Sequence, residues 1–553
     1  MGYALFFLAV VAACLLWSAA FTAGAARAQR AWLRRLLLGV AVVVPIAALS
    51  PWVIATWLLA FRLAIDTNWF GPTVSCAVAA LVGGIWIVAA GMSRRPDGTP
   101  AAAAWPVIGL AGLFVIAKMV AFGILLILDN AVAAQAPYMR LEAASLIQAH
   151  LPPAVPDAEN AAPLYREAFT RLDTDAAAQA STGPLPRGPA ADVTAEATRE
   201  LLRRHAATLD LLRAAADRDT CRFDRDWTRP SFDMILPEIQ AMRSAARLLA
   251  IAAVCAAADG DVPAALQDVA RITRMGHHAA SEPLLISGLV GLAIDGVGLD
   301  TLARVLPACT PDHAAALAAA DPVGSPPTLV RSMFGEEAFG LATFADVADA
   351  RLGLTSLQQV MHAEAAQRGR FVGRPGEFLY RVFLLPADID GYRRFMHRQQ
   401  QSVAQSRPFA AVRQENTADE EDIERRRPGL LSALIMPALG QVRLQAFKAE
   451  ARHAAAAALV AATRQRLASG QLPETLEAID REWLAAMPAD PYTGTTLTDR
   501  QPLRARSADG ALMVWSVGPD GEDDGGPVPV GADAVEGNDD IGLRLESAPA
   551  AAR

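Results

Sequence analysis

Four apolar blocks fill the first quarter of the chain: Tyr3–Ala25, Leu36–Phe61, Thr73–Met92 and Ala104–Leu128. Each has about the ~20 residues a helix needs to cross a bilayer, and the links between them are short, basic or turn-rich. The pattern predicts a four-helix transmembrane block over residues 1–130. Pro45 and Pro51 interrupt the second span and predict a kink there. Ala23–Ala26 is small and cleavable in character, but no basic stretch precedes Tyr3 and further spans follow, so the first block reads as an uncleaved span.

The pattern then changes. Residues 131–440 read as an irregular antiparallel α-helical array. Helices are predicted at Met139–Ala149, Thr194–Ala216, Met234–Ala258, Val262–His278 and from Pro283 to Leu306, with a helix through Arg171 and a flexible excursion at 173–195. Asp259-Gly-Asp261 marks a turn, and Pro263 suits the first turn of the helix that follows. The step at Ala256–Leu266 resembles a tetratricopeptide unit, without a sustained repeat period. Further helical stretches are expected at Thr328–Ala350, Leu357–Arg368 and Leu384–Ala404, and a long alanine-rich one at Gln441–Leu467. In Asp419–Arg427 five acidic residues precede three arginines, the pattern of a solvated face or linker.

Charge refines this picture. Residues 1–128 carry seven arginines and Lys118 against Asp66 and Asp97, a net of +6; the whole chain is −8, so the remainder is −14. An acidic soluble part does not suit nucleic acid, which needs a basic face. The first link holds four arginines and the third holds Arg94 and Arg95, which places both on the cytoplasmic side by the positive-inside bias. The expectation is a multi-pass protein of the cytoplasmic (inner) membrane whose large C-terminal part is extracytoplasmic. Lys118, inside the fourth span, reads as a snorkelling or paired lysine rather than part of an ion path. Of five cysteines, Cys14 and Cys76 fall in spans. If that part is extracytoplasmic, Cys221 and Cys255 could pair, although buried free thiols, Cys309 among them, are the simpler reading.

Motifs that would announce an enzyme are missing: there is no His-Glu-x-x-His, Gly-x-Ser-x-Gly, phosphate-binding glycine loop or Cys-x-x-Cys. His277 and His278 lie near a helix end with Glu282 beyond; adjacent helical residues diverge by about 100° and do not readily chelate together. Glu336 with Glu337, and Asp388 with Asp390, are not set apart from surface charge. Enzymatic activity is not expected.

The C-terminal stretch carries the most specific pattern. Gly470–Pro473 follows the long helix, then Pro488-Ala-Asp-Pro-Tyr-Thr-Gly494, a strand candidate at Leu512–Val517, Ser516-Val-Gly-Pro-Asp-Gly521 and Asp540-Ile541. Eight acidic residues and one arginine lie between Val514 and Leu545. This order of pieces resembles the C-terminal half of the major pseudopilin of type II secretion systems, over about residues 441–545. The resemblance implies a small α/β pilin-like cap whose last loop holds calcium, with Asp520 and Asp540 as ligands. Asp523, Asp524 and Asp539 are further candidates, since calcium takes six to eight hard oxygens. The alternative is a disordered acidic segment. The family begins with a short leader and one hydrophobic helix bearing a glutamate. Here some 440 unrelated residues precede the module, so the resemblance implies a cap rather than a polymerising subunit. Residues 248–286 are also similar to parts of bacterial membrane-anchored proteins with this kind of tail. Residues 546–553 read as a disordered end.

The fold expected is therefore mainly α: a membrane block, a helical array and a small α/β cap. The function expected is a membrane-anchored extracytoplasmic binding or scaffold protein with an unknown protein partner. The alternatives are an accessory of a type II secretion or pilus-like system, and a membrane-bound hydrolase whose site forms only in the fold.

Overall fold

A computed structural model describes residues 123–172, 196–228, 236–353, 380–405, 407–425, 429–435, 437–508, 510–526 and 538–546, together with a few isolated positions. Almost all of the four predicted spans, Lys118, the stretch 173–195 and the helix expected at Leu357–Arg368 lie outside these residues. Of the fourth span, residues 123–128 are described and are helical.

The chain forms two compact units. One comprises residues 1–134 with 350–384, the other 135–349 with 385–553. The second is mainly helical. Its helices are α1 (Ala136–His150), α2 (Ala161–Arg171), α3 (Glu196–Arg204), α4 (Ala206–Ala216), α5 (Pro237–Ala258), α6 (Val262–Ala279), α7 (Leu285–Val305), α8 (Ala314–Ala320), α9 (Val330–Ala348), α10 (Leu385–Ala404), α11 (Phe409–Glu424), α12 (Ser432–Ile435) and α13 (Pro437–Ser469). Near the C-terminus β1 (Arg504–Ala508), β2 (Ala511–Ser516) and β3 (Ile541–Leu545) form an antiparallel sheet in that order.

The array is built around α5, α6 and α7. Gly260, at a φ of +89°, makes the turn after α5. Asp261 then caps α6 by accepting the Ala264 N–H at 3.2 Å, an orphan donor that a helix start leaves open. Helices α6 and α7 touch at two glycines: a Cβ on Gly276 would lie 2.8 Å from the Gly291 carbonyl. Two stretches, Pro237–Ala258 and Leu285–Ala308, are long and apolar enough to cross a membrane, a weak pointer to membrane association. Two-thirds of each apolar window (67%) is nevertheless buried within the protein, as befits core helices. Among the described residues two helices meet that test, not four; neither is one of the four blocks in 3–128.

Polar clasps fix the outer helices. Arg140 on α1 reaches Asp346 and Asp349 at 2.6 Å each, and the His150 ring stacks on Phe334 at 4.0 Å. Arg213 on α4 grips the buried Asp268 on α6 through its Nε and Nη2, at 3.0 and 2.7 Å. Asn160 caps α2 by accepting from Ala162 N and pairs with the backbone of Arg222 in both directions.

Helix α13 joins the array to the sheet. Ala455, Ala458, Leu459 and Ala462 share one continuous core with Leu266, Val269, Leu299 and Leu302 of the array and with Leu512, Val514, Leu543 and Leu545 of the sheet. Array and C-terminal module are thus packed as one body. A buried pair crosses the same seam, His453 Nε2 lying 2.7 Å from Asp295 Oδ2.

A candidate cation site in the C-terminal module

The module starts where α13 ends. Gly470 takes a φ of +81° and its N–H closes onto the Arg466 carbonyl at 2.8 Å, a left-handed stop that a glycine makes without Cβ strain. The chain then runs through a short 3₁₀ turn at Leu476–Ala478 to the Pro488–Gly494 loop. Its Asp490 is fully buried. Asp490 Oδ1 accepts from Tyr492 N at 3.0 Å and Ser516 Oγ at 2.6 Å, and Oδ2 accepts from Val517 N at 3.1 Å. One carboxylate therefore ties this loop to the end of β2.

Beyond β2 the acidic loop begins. Gly518 stands at a φ of +70°, and a Cβ there would lie 2.0 Å from the Asp539 carbonyl. That close approach brings the two arms of the loop together. Four of the five candidate aspartates accept from N–H groups of the module itself, and the fifth, Asp539, is exposed. Asp520 Oδ1 accepts from Glu522 N at 3.0 Å. Asp523 Oδ1 accepts from Trp515 Nε1 and Gly525 N, and its Oδ2 lies 3.6 Å from Arg504 Nε. Asp524 Oδ2 accepts from Asp539 N at 3.2 Å. Asp540 Oδ2 accepts from Gly526 N at 2.7 Å. The Asp540 carboxyl is held above its ordinary range, first by burial and then by Asp523 and Asp524, against the Gly526 N–H.

Two buried oxygens stand without a hydrogen-bond partner among the described residues, Asp540 Oδ1 and, two residues earlier, Asn538 Oδ1. An unpaired buried carboxylate oxygen costs free energy unless a donor or cation meets it. The fit to a calcium ion is thus partial: an orphan hard oxygen stands in a glycine-rich loop. Among the described residues, however, no three His, Cys, Asp or Glu side chains converge as a metal group. Asp533 and Glu536 lie outside the described residues. Where α11, the Pro488–Gly494 loop and the acidic loop meet, an open cleft of about 600 Å³ is lined by Phe409, Arg413, Thr417, Tyr492, Pro519 and Gly521. Arg413 donates to the Pro519 carbonyl across it at 3.2 Å.

The remaining candidates are placed apart. His277 Nε2 donates to the Ser325 carbonyl at 2.9 Å. His278 is buried against the Tyr165 hydroxyl at 2.9 Å, and burial lowers its pKa to about 4. Glu282 pairs with Arg225, which also holds Glu238, so these contacts bring neither histidine to a carboxylate. Glu337 accepts from Gln400 Nε2 at 2.6 Å. Asp388 accepts from Leu431 N and Ser432 N and anchors α12, whereas Asp390 is exposed. Cys221, Cys255 and Cys309 are buried free thiols, so the Cys221–Cys255 pair is not formed. Sequence reasoning missed the Asp295–His453 pair; the signal was an aspartate in a helix apolar on nearly every side.

Compared with protein-family models, with curated proteins and with solved structures, the chain has no match.

Proposed function

We propose that this is a membrane-anchored binding or scaffold protein whose helical array and pilin-like C-terminal module act as one extracytoplasmic body. In this reading a calcium ion orders the acidic loop, and the loop in turn shapes the cleft that receives a protein partner. The observation that carries it is the double use of one loop. The segment that holds Asp520 supplies Pro519 and Gly521 to the cleft wall, while its other arm holds the orphan Asp540 Oδ1. Aromatic edges from Phe409 and Tyr492 beside the Arg413 cation suit a protein segment, since aromatics and arginine dominate such contacts.

A secretion or pilus-like accessory role is a second reading. It draws support from a long helix packed on a three-stranded antiparallel sheet and from the Asp490 clasp at the loop that carries the resemblance. No contact described for His277 or His278 favours the hydrolase reading.

Location decides whether the loop can meet calcium at all. A reporter fused after Arg553 that is active only outside the cytoplasmic membrane should be active. A cytoplasmic signal from that fusion would remove the extracytoplasmic reading and, with it, a calcium-rich surrounding.

A further inference from the structure

The smaller unit carries an apolar feature that packing within it does not use. Residues 123–133 are helical, and Ile124, Ile127 and Leu128 are exposed by 52%, 68% and 37%. These residues end the apolar stretch Ala104–Leu128, and exposed apolar side chains there are what a span facing lipid requires. Asp129 is the first charged residue after it. Arg381, from a segment some 250 positions later, pairs with Asp129 through Nε at 2.8 Å and Nη2 at 2.7 Å.

This ion pair ties the segment that follows Phe378 to the end of that apolar stretch. The segment's side chains divide: Tyr380 and Val382 are buried, and the Arg381 guanidinium lies 5.9 Å from the centre of the Phe378 ring. Phe383 and Leu384 point outward, 55% and 57% exposed. Together they form an apolar tip on a short π-helical turn, Tyr380–Leu384. Phe383 is two residues from Arg381 on this turn, about 3 Å along a helix axis, so the tip stays close to the level of the ion pair.

We propose that Phe383 and Leu384 form a membrane-interfacial anchor, inserted into the leaflet at which the last span ends and held at that depth by the Arg381–Asp129 ion pair. The occupant is lipid rather than protein, because the tip is tied to the residue that follows the final apolar stretch. The anchor would give residues 350–384, which lie far along the chain from the spans, a second hold on the bilayer. This inference rests on reading Ala104–Leu128 as a membrane span.

The test uses the full chain in lipid vesicles, with an environment-sensitive fluorophore on Phe383→Cys, on Ile127→Cys as the span control, and on the parent chain for background. Brominated acyl chains and aqueous iodide are the quenchers. The proposal expects position 383 to be quenched by bromolipid several-fold more than by iodide, with blue-shifted emission. Quenching of position 127 by bromolipid, with position 383 quenched by iodide or by neither agent, overturns the anchor but leaves the span intact. Iodide quenching at both positions overturns the span reading and the anchor with it. Because both replaced side chains are exposed, neither substitution opens a core, and a matched melting temperature against the parent verifies the fold. Arg381→Ala is the second variant: its label at position 383 should move toward iodide.

Discussion

Replacing Asp490 is the sharpest test of how the module is tied together. Its two oxygens serve three donors from two segments, Tyr492 N, Ser516 Oγ and Val517 N. An amide at this position can keep one acceptor for the first two donors but turns an N–H₂ toward Val517 N–H. Asp490→Asn thus loses one hydrogen bond to a charged acceptor and orphans one buried donor, together about 2–4 kcal/mol. Asp490→Ala loses all three and strands three donors, about 4–6 kcal/mol. Against the roughly 5–15 kcal/mol that holds a typical fold, the alanine variant stands near the threshold of folding and the asparagine variant well above it. Urea unfolding of the full chain in detergent, followed by tryptophan emission, gives the two values as midpoint shifts at constant slope. The order parent, asparagine, alanine is required. An alanine variant within about 1 kcal/mol of the parent would refute the clasp, since buried donors left unpaired cannot cost so little.

Three further outcomes follow from the packing and the buried titratable groups. Gly335→Ala puts a Cβ 1.6 Å from the Pro283 carbonyl, a backbone clash at or beyond the ~3 kcal/mol end of overpacking; soluble yield and melting temperature should both collapse. Burial lifts Glu336 from 4.5 to about 7, so the folded state holds the proton more tightly. Stability is then highest below pH 4.5, falls as pH rises toward 7 and is level above, and Glu336→Gln should remove that fall from melting curves taken across the range. His278 behaves oppositely, lowered from 6.5 to about 4. The unfolded chain takes its proton first, so stability is full above pH 6.5 and declines toward pH 4; if His278→Gln leaves that acid limb unchanged, the assignment is wrong.

The array was legible where local chemistry and apolar period agree. Asp261 and Pro263 announce the start of α6, and the helix begins at Val262 with that aspartate as its cap. Where a buried polar residue interrupts, the period misleads: Thr194–Ala216 reads as one helix, but His205, 2% exposed at φ −97° and ψ +15°, separates α3 from α4. Strand β2 was visible as Leu512–Val517 and forms at Ala511–Ser516. Strand β1, Arg-Ala-Arg-Ser-Ala, carries no strand-forming side chain and owes its conformation to pairing with β2. Strand β3 does alternate, with Ile541, Leu543 and Leu545 inward, but it is too short to stand out beside its acidic flank. The aspartates of the candidate site were legible as residue types. That Asp520, Asp523, Asp524 and Asp540 accept from loop N–H groups and Trp515 was not, because it depends on how glycines 518, 521, 525 and 526 turn the chain.

The account's central claim is that calcium orders the loop that walls the cleft. Hydrogen exchange at residues 518–526 of the full chain in detergent, with calcium and with chelator, addresses it directly. The account predicts slower exchange there with calcium, reversed by chelator and absent in Asp540→Asn. Equal exchange in both conditions would contradict it and leave the loop held by its own hydrogen bonds.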